Sequence, residues 1–234
     1  MSNVSLFIGA IASLPESGRP TGMFKHPVSG SLHLCSEGFT GDEQADRRVH
    51  GGPDKAVHLY PAIHYGRLAK AFPETASRLK PGSLGENISS ATLDESRVRI
   101  GDIFRLGKAL LQLCQPRNPC WKIDARFGVD GLAAYIAEHH LTGWYFRVLQ
   151  PGVVDPNSAL DIVETGVATL DLAQAQRLWH AHRPPPQALR QLADTPGIAT
   201  DWRRKILERA AWLERDPSGK SSPPVAFHVK PESR

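Results

Sequence analysis

The sequence predicts a mainly β fold with peripheral helices, followed by a small three-helix appendage. Two observations carry that reading. Short apolar runs with period-two alternation, broken by glycine and proline, fill residues 1–165, and after Glu164 the apolar spacing becomes helical. The length of 234 residues, with 41% apolar and 22% charged side chains, suits one good-sized core or a domain with an appendage.

The elements follow in order. VSLFIGAIASL at 4–14 is the longest apolar run; it is too short to span a bilayer and no basic residue precedes it, so it reads as a first strand. Pro61 sits at a favoured first helical position and places Ile63, Leu68 and Phe72 on one side of a helix. Ile103–Leu106 and Ala109–Leu113 alternate around Gly107-Lys108, which predicts a hairpin whose second strand runs into Gln115–Cys120. Asp130 is placed to cap a helix that buries Leu132, Tyr135 and Ile136 and ends near Gly143. WYFRVLQPG at 144–152 and ALDIVE at 159–164 are further strands.

Thr169 then caps a helix to His180, anchored by Leu170, Leu178 and Trp179. The prolines at 184–186 break the chain and open a second helix through Leu192. Asp201–Leu213 gives a third, with Ile206, Leu207, Ala210 and Leu213 at helical spacing. Three short helices bury little alone, so they are expected to pack together or against the strands. The boundaries are thus 1–165 for the β domain, 166–215 for the three helices and 216–234 for a disordered tail.

Charge and cysteine usage narrow the function classes. Residues 1–165 balance 17 basic against 17 acidic side chains, whereas 166–234 hold 11 against 7, the whole +4 excess. Such mixing reads as a solvated helical surface rather than a nucleic-acid face. Three cysteines without paired spacing argue against a disulfide framework and for a reducing, cytoplasmic setting.

Two segments stand out chemically. In HGGPDK, the glycines Gly51 and Gly52 let backbone N–H groups converge on an anion, Lys55 adds a point charge, and His50 titrates near neutrality. A plain turn explains the same residues about equally well, and the spacing is not that of a P-loop. In QPRNPC, Cys120 ends a proline-braced turn rather than occupying a core position, and Arg117 is a cation suited to a thiolate, the form that attacks carbon or ligates metal. Cys114, inside an alternating strand, and Cys35, beside Leu34, read as small buried hydrophobes. No second cysteine or histidine pair offers a structural zinc site. Paired with His50, Cys120 could be a nucleophile; alone, it could be the one protein ligand of a metal held by a cofactor. Asn87, in GENI after a glycine-rich loop, is a weak signal. Asp42, Glu43 and Asp46 read as a solvated cluster paired with Arg47 and Arg48, Trp144 and Tyr145 as core aromatics, and Arg147 as a phosphate fork or a surface residue.

Taken in order, GDEQADRRVHGGPDKAV, SLGENI, GDIFRLG, QPRNPC and GWYFRVLQPG resemble the MOSC family, the molybdenum cofactor sulfurase C-terminal domain. Within it the chain resembles the YiiM-like subgroup, over roughly residues 1–215. The resemblance implies a MOSC β-barrel with peripheral helices and a small C-terminal three-helix domain. It implies a molybdenum cofactor (molybdopterin), with Cys120 ligating the metal. Gly51, Gly52 and Lys55 would sit around the cofactor's phosphate or pterin, and His50, Asn87, Arg117, Asn118 and Arg147 would line the same pocket, with Cys120, Arg117 and Asn118 closest to the chemistry.

The activity so implied is reduction of N-hydroxylated compounds, such as 6-hydroxylaminopurine and hydroxylamines, to amines. No aminotransferase-like sulfurase domain is encoded, so neither cysteine desulfuration nor pyridoxal phosphate binding is expected. No iron–sulfur or Rossmann signature is present, so electrons would come from a separate flavin-type reductase. The basic C-terminal helices, including Arg203, Arg204 and Lys205, are a candidate docking surface for that reductase, on charge alone. Neither nucleic acid nor membrane is an expected partner, and a homodimer is left open. The alternative is a molybdenum cofactor carrier without turnover; a metal-free thiol hydrolase using Cys120 and His50 ranks third.

Overall fold

The computed structural model describes residues 2–47, 51–156 and 158–216. In chain order the strands are β1 (Ser2–Ile8), β2 (Ala12–Ser13), β3 (Pro20–Thr21), β4 (His26–Pro27), β5 (Leu32–Cys35), β6 (Gly38–Phe39) and β7 (Val57–Pro61). They continue with β8 (Ile88–Ser90), β9 (Ile103–Leu106), β10 (Ala109–Pro116), β11 (Trp144–Gln150), β12 (Gly152–Val154) and β13 (Ala159–Glu164). The helices are α1 (Ile63–Ala71), α2 (Lys122–Phe127), α3 (Leu132–Glu138), α4 (Leu172–His180), α5 (Pro186–Ala193) and α6 (Thr200–Arg215). None is long and apolar enough to cross a membrane.

Eight strands form the main sheet in the order β13-β9-β10-β11-β7-β8-β1-β4. β13 also pairs with β1, Ser2 opposite Leu160, and so curls the sheet back on itself. Only β7 and β8 run parallel within it, which requires a crossover, and α1 supplies it. The expected hairpin is present as β9 and β10, with Ala109 opposite Leu106. A register shift between Leu113 and Gln115 marks a bulge near the end of β10, just before the turn Arg117 to Cys120.

The main core packs Phe104 against Phe146 at 5.1 Å and Trp144 against Phe146 at 6.2 Å, both edge to face. Leu172, Trp179, Leu189, Ile206 and Leu213 belong to the same apolar cluster, so the three C-terminal helices pack on the sheet as well as on one another. A second cluster joins Tyr60 and Leu84 to buried residues of α1, α2 and α3, among them Leu68, Ile123 and Ile136.

Several local expectations are corrected. Pro61 ends β7; the helix begins at Ile63, which is 62% exposed, and buries His64 and Tyr65 beside the expected Leu68. Asp171, not Thr169, caps α4, in a capping box with Gln174. Asp130 does not cap α3: Asp124 does so from α2, accepting from the amides of Gly131 (3.1 Å) and Ala133 (2.7 Å). Apart from Asp216, the tail expected from 216 lies outside the described residues.

Candidate active site

The turn after β10 is fixed at both ends. The Arg117 amide donates to the Gly143 carbonyl at 3.1 Å, and the Cys120 carbonyl accepts from Ile123 at 3.0 Å, starting α2. Between these anchors the chain presents Arg117 and Cys120 to a cleft that Lys25, His58 and Tyr145 also line. Asn118 is solvent-exposed and does not reach this cleft.

The floor is cationic and largely dry. Arg117 is only 5% exposed, and its Nη1 has no hydrogen-bond partner among the described residues. Lys25 is buried in an ion pair with Asp42. Burial pushes the Lys25 ammonium below its usual range, and Asp42 works against that shift. Asp42 is further held by the Gly9 amide at 3.0 Å and by Asn87 Nδ2 at 2.8 Å. It is therefore an interior anion, not part of a solvated surface cluster. The Asn87 amide is fully used: Oδ1 accepts from the His58 amide at 3.2 Å, and Nδ2 also donates to the Phe7 carbonyl at 3.3 Å. Asn87 lines the cleft as the brace of the Lys25–Asp42 pair.

His58 is 4% exposed, with Nε2 3.5 Å from the Thr142 carbonyl. Burial first, then the Arg117 charge, holds its pKa well below the ordinary 6.5, so the ring is neutral. Burial raises the Tyr145 hydroxyl, while the Arg117 guanidinium beside it pulls the other way.

Lys55 reaches the cleft from a short 3-10 turn, Pro53–Lys55, and burial lowers its pKa, with Lys205 adding to the effect. Gly51 and Gly52 stand behind it rather than on the wall. Gly52 takes φ 92°, and its carbonyl accepts from the Lys55 amide at 2.9 Å; a Cβ on Gly51 would meet Arg47 Cα at 2.9 Å. These glycines serve the turn itself. His50 lies outside the described residues.

Arg147 is also placed away from the cleft. Its Nε donates to Asp54 at 2.9 Å and its Nη2 to the Ile198 carbonyl at 3.2 Å. Asp54 accepts from the Thr200 amide at 2.9 Å, so this ion pair ties the Lys55 turn to the start of α6. Cys114 donates to the Asp54 carbonyl at 3.1 Å, and burial pushes its thiol up to about 12, as befits an inert core cysteine. Cys35 is only half-buried.

Lys25 and His58 were not singled out from sequence, and Asp42 was read there only as part of a solvated surface cluster. Lys25 and Asp42 lie in different turns, and every residue of β7 is buried, so no alternation marks His58 as facing a site.

A family model for the MOSC domain matches residues 46–161. The protein YiiM of Escherichia coli K12 is 38% identical over 207 residues, 88% of this chain and 91% of that protein. The chain belongs to the MOSC domain family. The crystal structure of YiiM from Escherichia coli superposes with a TM-score of 0.77 at 30% identity, covering 91% of this chain and 94% of that one. The MOSC fold here is thus a mainly-sheet, curled half-barrel with helices, like that of YiiM. A protein named reductase from Gibberella moniliformis is 29% identical over 160 residues, 68% of this chain but 28% of its own length.

Proposed function

We propose that the cleft holds a molybdenum–pterin cofactor and that the protein reduces N-hydroxylated compounds to amines, with electrons from a separate flavin-type reductase. The observation that carries this reading is the buried Arg117 with an unpartnered Nη1, lining the same cleft as Cys120. An orphaned guanidinium donor in a dry site costs about 1–3 kcal/mol unless an anionic or oxygen-rich group meets it. Among the described residues no cluster of three or more metal-ligating side chains exists, so a metal at Cys120 must bring other ligands with it. A dithiolene cofactor does so, and the donor set fits.

When bound, such a cofactor supplies the two-electron chemistry that cleaves the N–O bond. The protein's own residues bind and orient. Cys120 offers the thiolate. Arg117 and Lys25 hold anionic groups against the floor, and Lys55 does the same at the rim. Neutral His58 and the Tyr145 hydroxyl offer hydrogen bonds to a polar substrate. Asn118, Gly51 and Gly52 shape the turns, and Arg147 anchors one of them. Residues 166–215 form, in this reading, a small three-helix domain seated on the half-barrel. The relative named a reductase supports redox chemistry in the family.

The first test is molybdenum and pterin content of wild type and Cys120→Ala from a cofactor-competent host, then turnover of 6-hydroxylaminopurine with an artificial donor. Near-stoichiometric metal in the wild type, lost in the variant, with turnover only in the former, is expected. Folded wild type without metal overturns the reading. Loaded wild type that turns nothing over leaves a cofactor carrier.

A further inference from the structure

The C-terminal helices reach the wall behind the cleft with a side chain that the proposed site does not use. Gln176, on α4, is 0% exposed, and its Oε1 accepts from the Thr142 hydroxyl at 2.9 Å. Thr142 and Gly143 lead into β11, and two cleft residues lean on them. The Gly143 carbonyl accepts from the Arg117 amide at 3.1 Å, and the Thr142 carbonyl stands 3.5 Å from His58 Nε2. The Thr142 hydroxyl also lies 2.9 Å from the Gly143 carbonyl, so the contacts of Gln176, Arg117 and His58 meet at one residue pair.

The pair is tightly enclosed. Gly143 takes φ 65°, and a Cβ there would meet the Leu59 carbonyl at 2.2 Å and His58 Nε2 at 3.2 Å. Its amide donates to Glu95 Oε1 at 2.8 Å, and Glu95 Oε2 meets His64 Nε2 at 2.7 Å. The first turn of α4 holds the backbone of that segment too. The Ala173 amide donates to the Glu95 carbonyl at 3.0 Å, and the Leu172 amide to the Val98 carbonyl at 2.8 Å. Helix α4 therefore grips Thr142 and Gly143 twice, directly through Gln176 and at one remove through Glu95.

We propose that Gln176 is a positioning residue of the cleft: through Thr142 and Gly143 it fixes the backbone of Arg117 and the ring of His58, which is what the C-terminal helices contribute to the chemistry. The inference rests on the reading of the cleft as the seat of N-hydroxy reduction. The neutral His58 ring carries one proton, sought by the Thr142 carbonyl and by the backbone of Gly85. Where the Thr142 carbonyl lies thus decides how firmly Nε2 keeps that proton, and hence which nitrogen can accept one. The Arg117 side chain starts from a backbone pinned to Gly143, so a shift there moves the guanidinium. A displacement of about 1 Å at such groups costs on the order of 100-fold in rate.

The test compares Gln176→Met, which keeps the length and removes the acceptor, with Thr142→Val, which keeps the shape and removes the hydroxyl. Thr142→Ser restores that hydroxyl and serves as the rescue. NMR of the ring nitrogens in the full-length protein should show less His58 protonated at Nε2 in Gln176→Met and Thr142→Val than in wild type and Thr142→Ser. Exchange of the Arg117 amide should be at least about tenfold faster in the same two variants. Loaded with cofactor, both should keep their molybdenum and lose at least about tenfold in kcat on 6-hydroxylaminopurine at unchanged KM, with Thr142→Ser near wild type. Unchanged His58 protonation and Arg117 exchange in the folded variants overturn the inference. So does a shifted His58 with kcat intact, or a loss that Thr142→Ser fails to rescue. If one variant does not fold, the other decides. Should loaded wild type reduce no N-hydroxy compound, the reductase reading fails by itself, and the NMR measurements still decide whether Gln176 positions the cleft.

Discussion

At the scale of single residues the cleft depends on charges that are buried in pairs. Asn87 makes three hydrogen bonds, to the His58 amide, the Phe7 carbonyl and Asp42, and so fixes the carboxylate that Lys25 needs. Replacing it with Ala leaves buried groups unmet, a cost of roughly 2–4 kcal/mol; urea unfolding should record it, and cofactor content should fall with it. Lys25 and Asp42 show why part of the site was illegible in sequence. They lie 17 positions apart, and nothing in either local pattern marks a residue that only the fold will bury. Cys120 was legible because its proline-braced turn is a local feature, as was the inert character of Cys114, set inside an alternating strand.

At the scale of elements, legibility follows periodicity. The hairpin of β9 and β10 alternates and was readable, as were α4, α5 and α6 at helical spacing. β7 was not, because all five of its residues are buried and no contrast between faces exists. The six residues of α2 are too few to show a period. The basic residues of α6 look different in place. Arg204 bridges Asp201 and Glu208 at 2.6 Å each, Lys205 meets Asp201 at 2.8 Å, and Arg203 meets Asp194 at 3.4 Å. Each of these cations thus faces an acidic neighbour within the C-terminal helical region. The element that does link α6 to the cleft is Asp54, through Arg147 and the Thr200 amide. Asp54→Ala should destabilise the fold by about 1–3 kcal/mol and quicken amide exchange at the start of α6, measurable by hydrogen exchange.

Across the whole molecule, the contact between the β body and the C-terminal helices carries a pH dependence. His140, after α3, stacks on His180, at the end of α4, with centroids 5.3 Å apart and planes 17° from parallel. Burial first, then His140 and Arg209, lowers His180 from 6.5 to about 4, and burial with Arg177 lowers His140. The unfolded chain takes up these protons first as pH falls. Stability is therefore whole above about pH 6.5 and is lost as pH drops towards 4, by about 2–3 kcal/mol from His180. Urea midpoints at pH 7 and pH 4.5 should differ accordingly, and His180→Gln should flatten the difference.

The pairing of Ser2 with Leu160 also sets an order of events. A chain leaving the ribosome has already released Lys25, Asp42, His58, Arg117 and Cys120 before the strand that closes the sheet emerges. Until then β1 has a free edge and the two ends of the curl have not met. The last residue to line the cleft, Tyr145, lies on β11, so the curl that holds the walls together closes only when synthesis of the β body is nearly finished. A cofactor of the proposed kind would find its seat after translation of that body, and never along the way.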